Sequence, residues 1–173
     1  QWSCLYGCIR FMFIFIKEKK RIKVKVGPMS NKKIKIVFGI NEFGYGGAEF
    51  MLKELLINLD KKKFDIYVLV KFSEQKTSIE EELKKNSINV IYFNCKKGIS
   101  LTFLYKCYFS LKTIRPSIIH THLAIVLYFV PYILLHKCRC FHTVHSTPEK
   151  ENRKIKLILK ICKSKIRLIG ISE

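Results

Sequence analysis

The sequence predicts an α/β fold: a doubly wound parallel sheet of about six strands with helices on both faces. Three observations carry this. Short runs rich in β-branched and aromatic residues recur from Ile34 onward, and segments of roughly ten residues with helical spacing separate them. The runs are also apolar at consecutive positions, as strands covered on both faces are. Strands separated by helices of that length are joined by right-handed crossovers into a parallel sheet.

Taken in order, KIKIVFGI is the first strand, and AEFMLKELLINL places Ala48, Met51, Leu52, Leu55, Leu56 and Leu59 on one helical face. DIYVLVKF is the second strand. SIEEELKKN is a charged helix that Ser78 opens, with Glu81 three residues later completing a capping box. INVIYF is the third strand, and LTFLYKCYFSLKTIR is a helix that Pro116 stops. SIIHTH follows as the fourth strand, LAIVLYFVPYILLH as an almost wholly apolar helix, and CRCFHTVH as the fifth strand. A basic helix, KENRKIKLILKICK, then leads to a sixth strand, IRLIGIS. No repeat or low-complexity linker interrupts the pattern, so residues 29–173 read as one Rossmann-like domain.

Residues 1–28 have a different character. LYGCIRFMFIFI is broken by Arg10 and followed by the basic cluster KEKKRIKVKV. A bilayer span needs about 20 apolar residues, and a secretory signal carries its basic residues before the apolar run. Met29-Ser30 therefore reads as a start, with 1–28 an upstream or non-native segment; a short membrane-anchoring segment is the alternative.

The formal charge of +20 raises nucleic acid as a partner, but arginine supplies only six of the 33 basic residues, and readers of phosphate and bases favour the arginine fork. The lysines are scattered in pairs and triplets such as Lys61–Lys63, which suits solvated turns. No nucleic-acid partner is expected. The seven cysteines include no C-x-x-C pair and are odd in number, which points to reduced thiols in a cytoplasmic protein.

In a sheet of this kind ligands sit beyond the carboxyl ends of the strands. The residues there are Asn41, Gly44, Gly46 and Gly47 after the first strand, His120, Thr121 and His122 at the fourth, and His142, His145, Ser146 and Thr147 at the fifth. The glycine turn fails as a dinucleotide fingerprint. Glu49 stands where a third glycine or alanine is required, the second strand ends Val70, Lys71, Phe72 with no acid for a ribose, and the Walker lysine-serine pair is absent. What remains is that Gly46 and Gly47 let the backbone turn sharply and bring N–H groups to an anion at the helix start, where Glu49 competes for the same dipole. A bare connection without ligand accounts for the turn equally well. His120, ending an apolar strand, is expected to be packed and hydrogen-bonded. His122, just outside it, is expected to be more exposed and placed to act. His142, His122 and His145 lack an aspartate or cysteine at ligand spacing, so no metal is expected. As neutral imidazoles they suit sugar hydroxyls, phosphate, or proton handling near neutral pH.

KIKIVFGINEFGYGGAEFMLKELLINL, KFDIYVLV, RPSIIHTH, FHTVHS and RLIGISE together resemble the amino-terminal domain of family-4 retaining glycosyltransferases of the GT-B fold, over Lys32 to Glu173. The resemblance implies transfer of a sugar from a nucleotide sugar to a hydroxyl acceptor with retention, without cofactor or metal, in the synthesis of lipopolysaccharide, capsule or related glycans. It places Gly46 and Gly47 by the donor diphosphate, with Asn41 and Glu49 in the same cleft. His122 falls at the reaction centre as the catalytic residue, with His120 as its companion and His145 facing the cleft. It also implies a second, donor-binding domain carrying an E-x7-E motif, which these 173 residues do not contain. The chain is then an acceptor-side half, inactive by itself. Its charge and the KENRKIKLILKICK helix suit peripheral contact with an anionic membrane on the cytoplasmic side, or simply a covering helix with a solvated basic face. A non-catalytic nucleotide- or phosphate-binding module remains the alternative, with a basic nucleic-acid binder behind it.

Overall fold

The computed structural model describes residues 33–145 and 153–170. The segment 1–28, Ser146 and Thr147, and the chain end at Glu173 lie outside the described residues. Six strands alternate with five helices among them: β1 (Ile34–Ile40), α1 (Gly47–Asn58), β2 (Phe64–Val70), α2 (Ser78–Lys85), β3 (Asn89–Tyr92), α3 (Leu101–Ile114), β4 (Ile118–His122), α4 (Val126–Leu135), β5 (Arg139–Val144), α5 (Arg153–Ile161) and β6 (Ile166–Gly170). The sheet order is β3-β2-β1-β4-β5-β6, with every pairing parallel. This is the expected Rossmann-like sheet. β1 lies between β2 and β4, so the order reverses at the β1/β4 boundary, where such sheets open a crevice at their carboxyl edge.

The period of two along β1 divides the interior into two cores. Ile36, Phe38 and Ile40 face α1 and α2 and pack with Leu52, Leu56 and Leu83. Val37 points the other way, with Leu69, towards α3, α4 and α5 and packs with Phe103, Leu111 and Phe129. Gly39 shares that second face, and a β-carbon on it would lie 2.6 Å from Phe129 Cζ. The absent side chain is what lets α4 lie so close to β1.

Two local expectations are corrected. The capping box on α2 is one residue earlier than Ser78 and Glu81: Thr77 is the N-cap, the Glu80 amide donates to its hydroxyl at 3.3 Å, and the Glu80 carboxylate accepts the Thr77 amide at 3.0 Å. Both frames satisfy the motif, but only Glu80 has tertiary partners, the Tyr92 hydroxyl at 2.9 Å and the Gln75 amide at 2.9 Å. The apolar helix after β4 does not start at Leu123. Leu123 has φ 57°, a left-handed conformation that a leucine adopts only under constraint, and a 3-10 turn over Leu123–Ile125 precedes α4. The stop before Pro116 is as expected: α3 closes on Arg115 in the left-handed region, whose amide donates to Leu111 O.

Candidate functional site

The carboxyl ends of β4 and β5 lie side by side, with His120 opposite Phe141, Thr121 opposite His142 and His122 opposite Thr143. Alternation then sorts the side chains. His120, His122, Thr143 and His145 fall on the face covered by α1, whereas Thr121 and His142 fall on the α4 face. The contacts follow that division. His120 Nε2 lies 2.7 Å from Thr143 Oγ1, and His122 Nδ1 lies 3.0 Å from His145 Nε2. On the other face Thr121 Oγ1 lies 3.0 Å from His142 Nδ1. The His120 and His122 rings are tilted against each other with centroids 4.4 Å apart.

This geometry separates His142 from His122 and His145. Among the described residues no three histidine, cysteine or acidic side chains are arranged to hold a metal ion. His120 is packed and hydrogen-bonded, as expected. His122 is not: it is the last residue of β4 and is fully buried, not exposed beyond the strand end. Its pairing with Thr143 holds it inside the sheet, and that contact is non-local. His145, immediately after β5, is half-buried.

Burial sets the protonation of the group. Desolvation, with a smaller contribution from the His142 and His145 charges, pushes His120 down to about 3. Burial first, and then the neighbouring imidazoles, holds His122 well below the ordinary histidine range. His142 and His145 are each lowered to about 4, mainly by burial. All four are neutral imidazoles near pH 7. Three of their nitrogens, His120 Nδ1, His122 Nε2 and His142 Nε2, are buried without a hydrogen-bond partner among the described residues. Unpartnered buried polar atoms are rare in folded proteins, and each calls for strain, a water, a ligand or a reaction that uses it.

The glycine turn sits on the same face, since α1 covers it. Its entry is pinned at two points. The Phe72 amide donates to Asn41 O at 2.9 Å, and the Thr77 hydroxyl donates to Phe43 O at 3.0 Å while the Phe43 ring is fully buried. Gly46 is the N-cap of α1 with φ −83° and ψ 163°, a conformation open to any residue. A β-carbon there would meet only the Glu49 carboxylate, the mobile end of a side chain that folds back over the helix start, so the glycine leaves room for that carboxylate and is not demanded by torsion. A β-carbon on Gly47 would meet nothing within 4 Å. Gly46, Gly47 and Tyr45 are all exposed. No hydrogen bond joins this turn to the histidines among the described residues.

A further residue at this edge is Lys71. It follows β2, where a dinucleotide-binding sheet would carry an acid, and it is buried with its Nζ 2.5 Å from Gly98 O and between the Phe72 and Tyr128 rings. The Tyr128 hydroxyl donates to the same carbonyl at 3.3 Å. Lys71 thus ties the β3–α3 loop down beside β2. The sequence showed only the missing acid, because the lysine's partner is a backbone carbonyl 27 residues away.

Residues 45–169 match the sequence profile of Glycosyltransferase Family 4. The chain belongs to glycosyltransferase family 4. The matched segment of this family-4 chain begins inside the glycine turn and ends in β6, so it holds Gly46, Gly47, Glu49, His120, His122 and His145; Asn41 precedes it. Among solved structures, a UDP-N-acetylglucosamine 2-epimerase is similar with a TM-score of 0.56 and 16% identity over 80% of this chain. At that identity the likeness is one of fold. The chain spans 42% of the epimerase's length. No curated protein sequence matches the chain.

Proposed function

We propose that this family-4 chain is the acceptor-side half of a retaining glycosyltransferase that moves a sugar from a nucleotide sugar to a hydroxyl acceptor in cell-surface glycan synthesis. The observation that carries this reading is the buried His122, its Nδ1 held by His145 and its Nε2 left without a partner, on the sheet face that the glycine turn overhangs. A neutral imidazole with one free nitrogen bonds a sugar hydroxyl without the cost of burying a charge. His122 is then the residue at the reacting centre, His120 backs its ring, and the Gly46–Gly47 lip leaves space for the donor diphosphate. Because its ring is closed off, neighbouring side chains must shift aside for substrate to reach it. Donor recognition falls mainly to a second domain with the paired glutamates that the family resemblance implies. The Glu49 carboxylate over the α1 N-cap speaks against a simple phosphate-binding module, since it already complements that helix end.

The reading is tested by incubating the purified 173-residue chain with nucleotide sugars and following nucleotide diphosphate release. No turnover is expected from the chain alone, and turnover is expected once it is joined to a donor domain. In that fused enzyme His122→Ala should lower kcat by about 100-fold or more. Robust turnover by the unjoined chain, or full activity of the His122→Ala fusion, would overturn it.

Charge layout supports a membrane-surface location for the same activity. No aspartate or glutamate occurs from Asn86 through Pro148, and the next two carboxylates, Glu149 and Glu151, precede α5. On one side of the sheet, helices α3 and α5 therefore carry lysines but no acid and α4 carries neither, and that layer exposes Leu101, Tyr105, Phe109, Leu135, Leu157 and Ile161. Aromatic and aliphatic side chains among lysines suit the headgroup region of an anionic bilayer. No helix of the described residues is long and apolar enough to cross a membrane. Flotation should recover the chain with vesicles containing phosphatidylglycerol and not with phosphatidylcholine alone, and Tyr105→Ser with Phe109→Ser should reduce recovery several-fold. Equal recovery from both vesicle types would remove the membrane placement.

A further inference from the structure

We propose that His145 is a positioning residue that fixes the tautomer of His122, so that His122 Nε2 carries a lone pair and takes a hydroxyl, not a phosphate, from the ligand. The inference rests on the proposed function for the identity of the ligand, but not for the tautomer.

His122 Nδ1 and His145 Nε2 are 3.0 Å apart, and both rings are neutral, so one nitrogen of the pair donates and the other accepts. Two arrangements satisfy this. In one, His145 Nε2–H donates to His122 Nδ1, and the proton of His122 sits on Nε2. In the other, His122 Nδ1–H donates to His145 Nε2, and His122 Nε2 is bare. The partnerless state of that nitrogen decides between them. His122 Nε2 is buried with no hydrogen-bond partner among the described residues, and an orphaned buried N–H is the rarer of the two kinds of unpaired group. The second arrangement leaves only an unshared lone pair inside. It also runs against the preference of a free imidazole in water for a proton on Nε2, so it has to be imposed by the partner. His145 supplies the acceptor that arrangement needs, with its own proton then on Nδ1.

A bare Nε2 accepts an O–H and repels the acceptor-only oxygens of an ionised diphosphate. Within this site His122 therefore reads a sugar hydroxyl, and the diphosphate must be met by other groups. The adjacent His120 ring is neutral and buried as well, so it adds no charge that would alter this preference.

Nitrogen-15 spectra of the imidazoles in the full 173-residue chain test the assignment without requiring activity. The wild-type chain should show His122 with a pyrrole-type Nδ1 and a pyridine-type Nε2, and His145 with its proton on Nδ1. His145→Ala should shift His122 to the Nε2–H form, and His145→Gln, whose side-chain oxygen can accept from Nδ1–H, should restore the wild-type pattern. A wild-type His122 in the Nε2–H form overturns the proposal whether or not any variant folds. A His122 pattern unchanged in a folded His145→Ala chain overturns it equally. Addition of a free sugar or a nucleotide sugar then separates the two readings. With the tautomer as stated, a shift of His122 Nε2 on sugar binding supports the hydroxyl assignment, while a shift produced by inorganic pyrophosphate and not by sugar overturns that assignment and leaves the tautomer standing.

Discussion

Lowering the pH from about 7.5 to about 5 is expected to unfold this domain at a much lower urea concentration, before most carboxylates titrate. The cause is the histidine group at the carboxyl edge. His120 at about 3, His142 at about 4 and His122 well below the ordinary range stay neutral in the fold, whereas in the unfolded chain each returns to about 6.5. The unfolded state therefore binds more protons through this window. Stability is fully present above about pH 6.5 and is lost as the pH falls towards the folded values. Each buried histidine contributes a slope of about 1.4 kcal/mol per pH unit, so three together remove several kcal/mol by about pH 5. Against a typical domain stability of about 5–15 kcal/mol, that is a large fraction. Urea midpoints measured at stepped pH check this. His120→Gln should keep a partner for Thr143 and make the slope shallower by about one histidine's share. A midpoint that does not move between the two pH values would mean the imidazoles are not buried as neutral groups.

The second large effect is expected at Gly39. Valine there would set its β-carbon 2.6 Å and 2.8 Å from two atoms of the Phe129 ring and 3.2 Å from Ile125 Cγ2. The ring is fully buried in the α4-side core and has little room to retreat, so Gly39→Val should cost about 3 kcal/mol through overpacking. Phe129→Ala removes the obstruction and by itself should cost about 3–5 kcal/mol through the cavity it leaves. Combined, the two should be less harmful than their sum by about 1 kcal/mol or more, because the valine fills part of the space the ring vacates. Urea unfolding of the four proteins of the cycle measures this. Additive losses would show that strand and ring do not press on each other.

Much of the fold is legible in the sequence because the evidence for it is local. Consecutive apolar residues such as Ile36–Ile40 and Val68–Val70 can be buried on both faces only as interior strands, and α2 and α3 carry their own caps. Errors arise where a distant partner decides. Thr77 and Ser78 both head a capping box in the sequence, and only the contacts of Glu80 with Tyr92 and Gln75 select the first. His122 is expected at the exposed margin of its strand, and its burial depends on pairing with Thr143, 21 residues further along the chain. The sequence brings the histidines to one edge, but not their division between two faces, because a shift of one residue in register would exchange the faces. Lys71 carried no signal at all, since a lysine bonded to a carbonyl leaves no pattern.

The Glu49 carboxylate folded over Gly46 makes anything that happens at that helix end an exchange. A phosphate arriving at the α1 amides would not find a vacant positive terminus; it would have to evict a carboxylate that is already there, and the local charge would change little as it did so. Occupancy would then depend on the difference between two anions rather than on the attraction of one, and would respond weakly to salt. In Gly46→Ala the β-carbon would push the glutamate out while leaving the turn itself unchanged, and the terminus would become a receptor for free anions in solution.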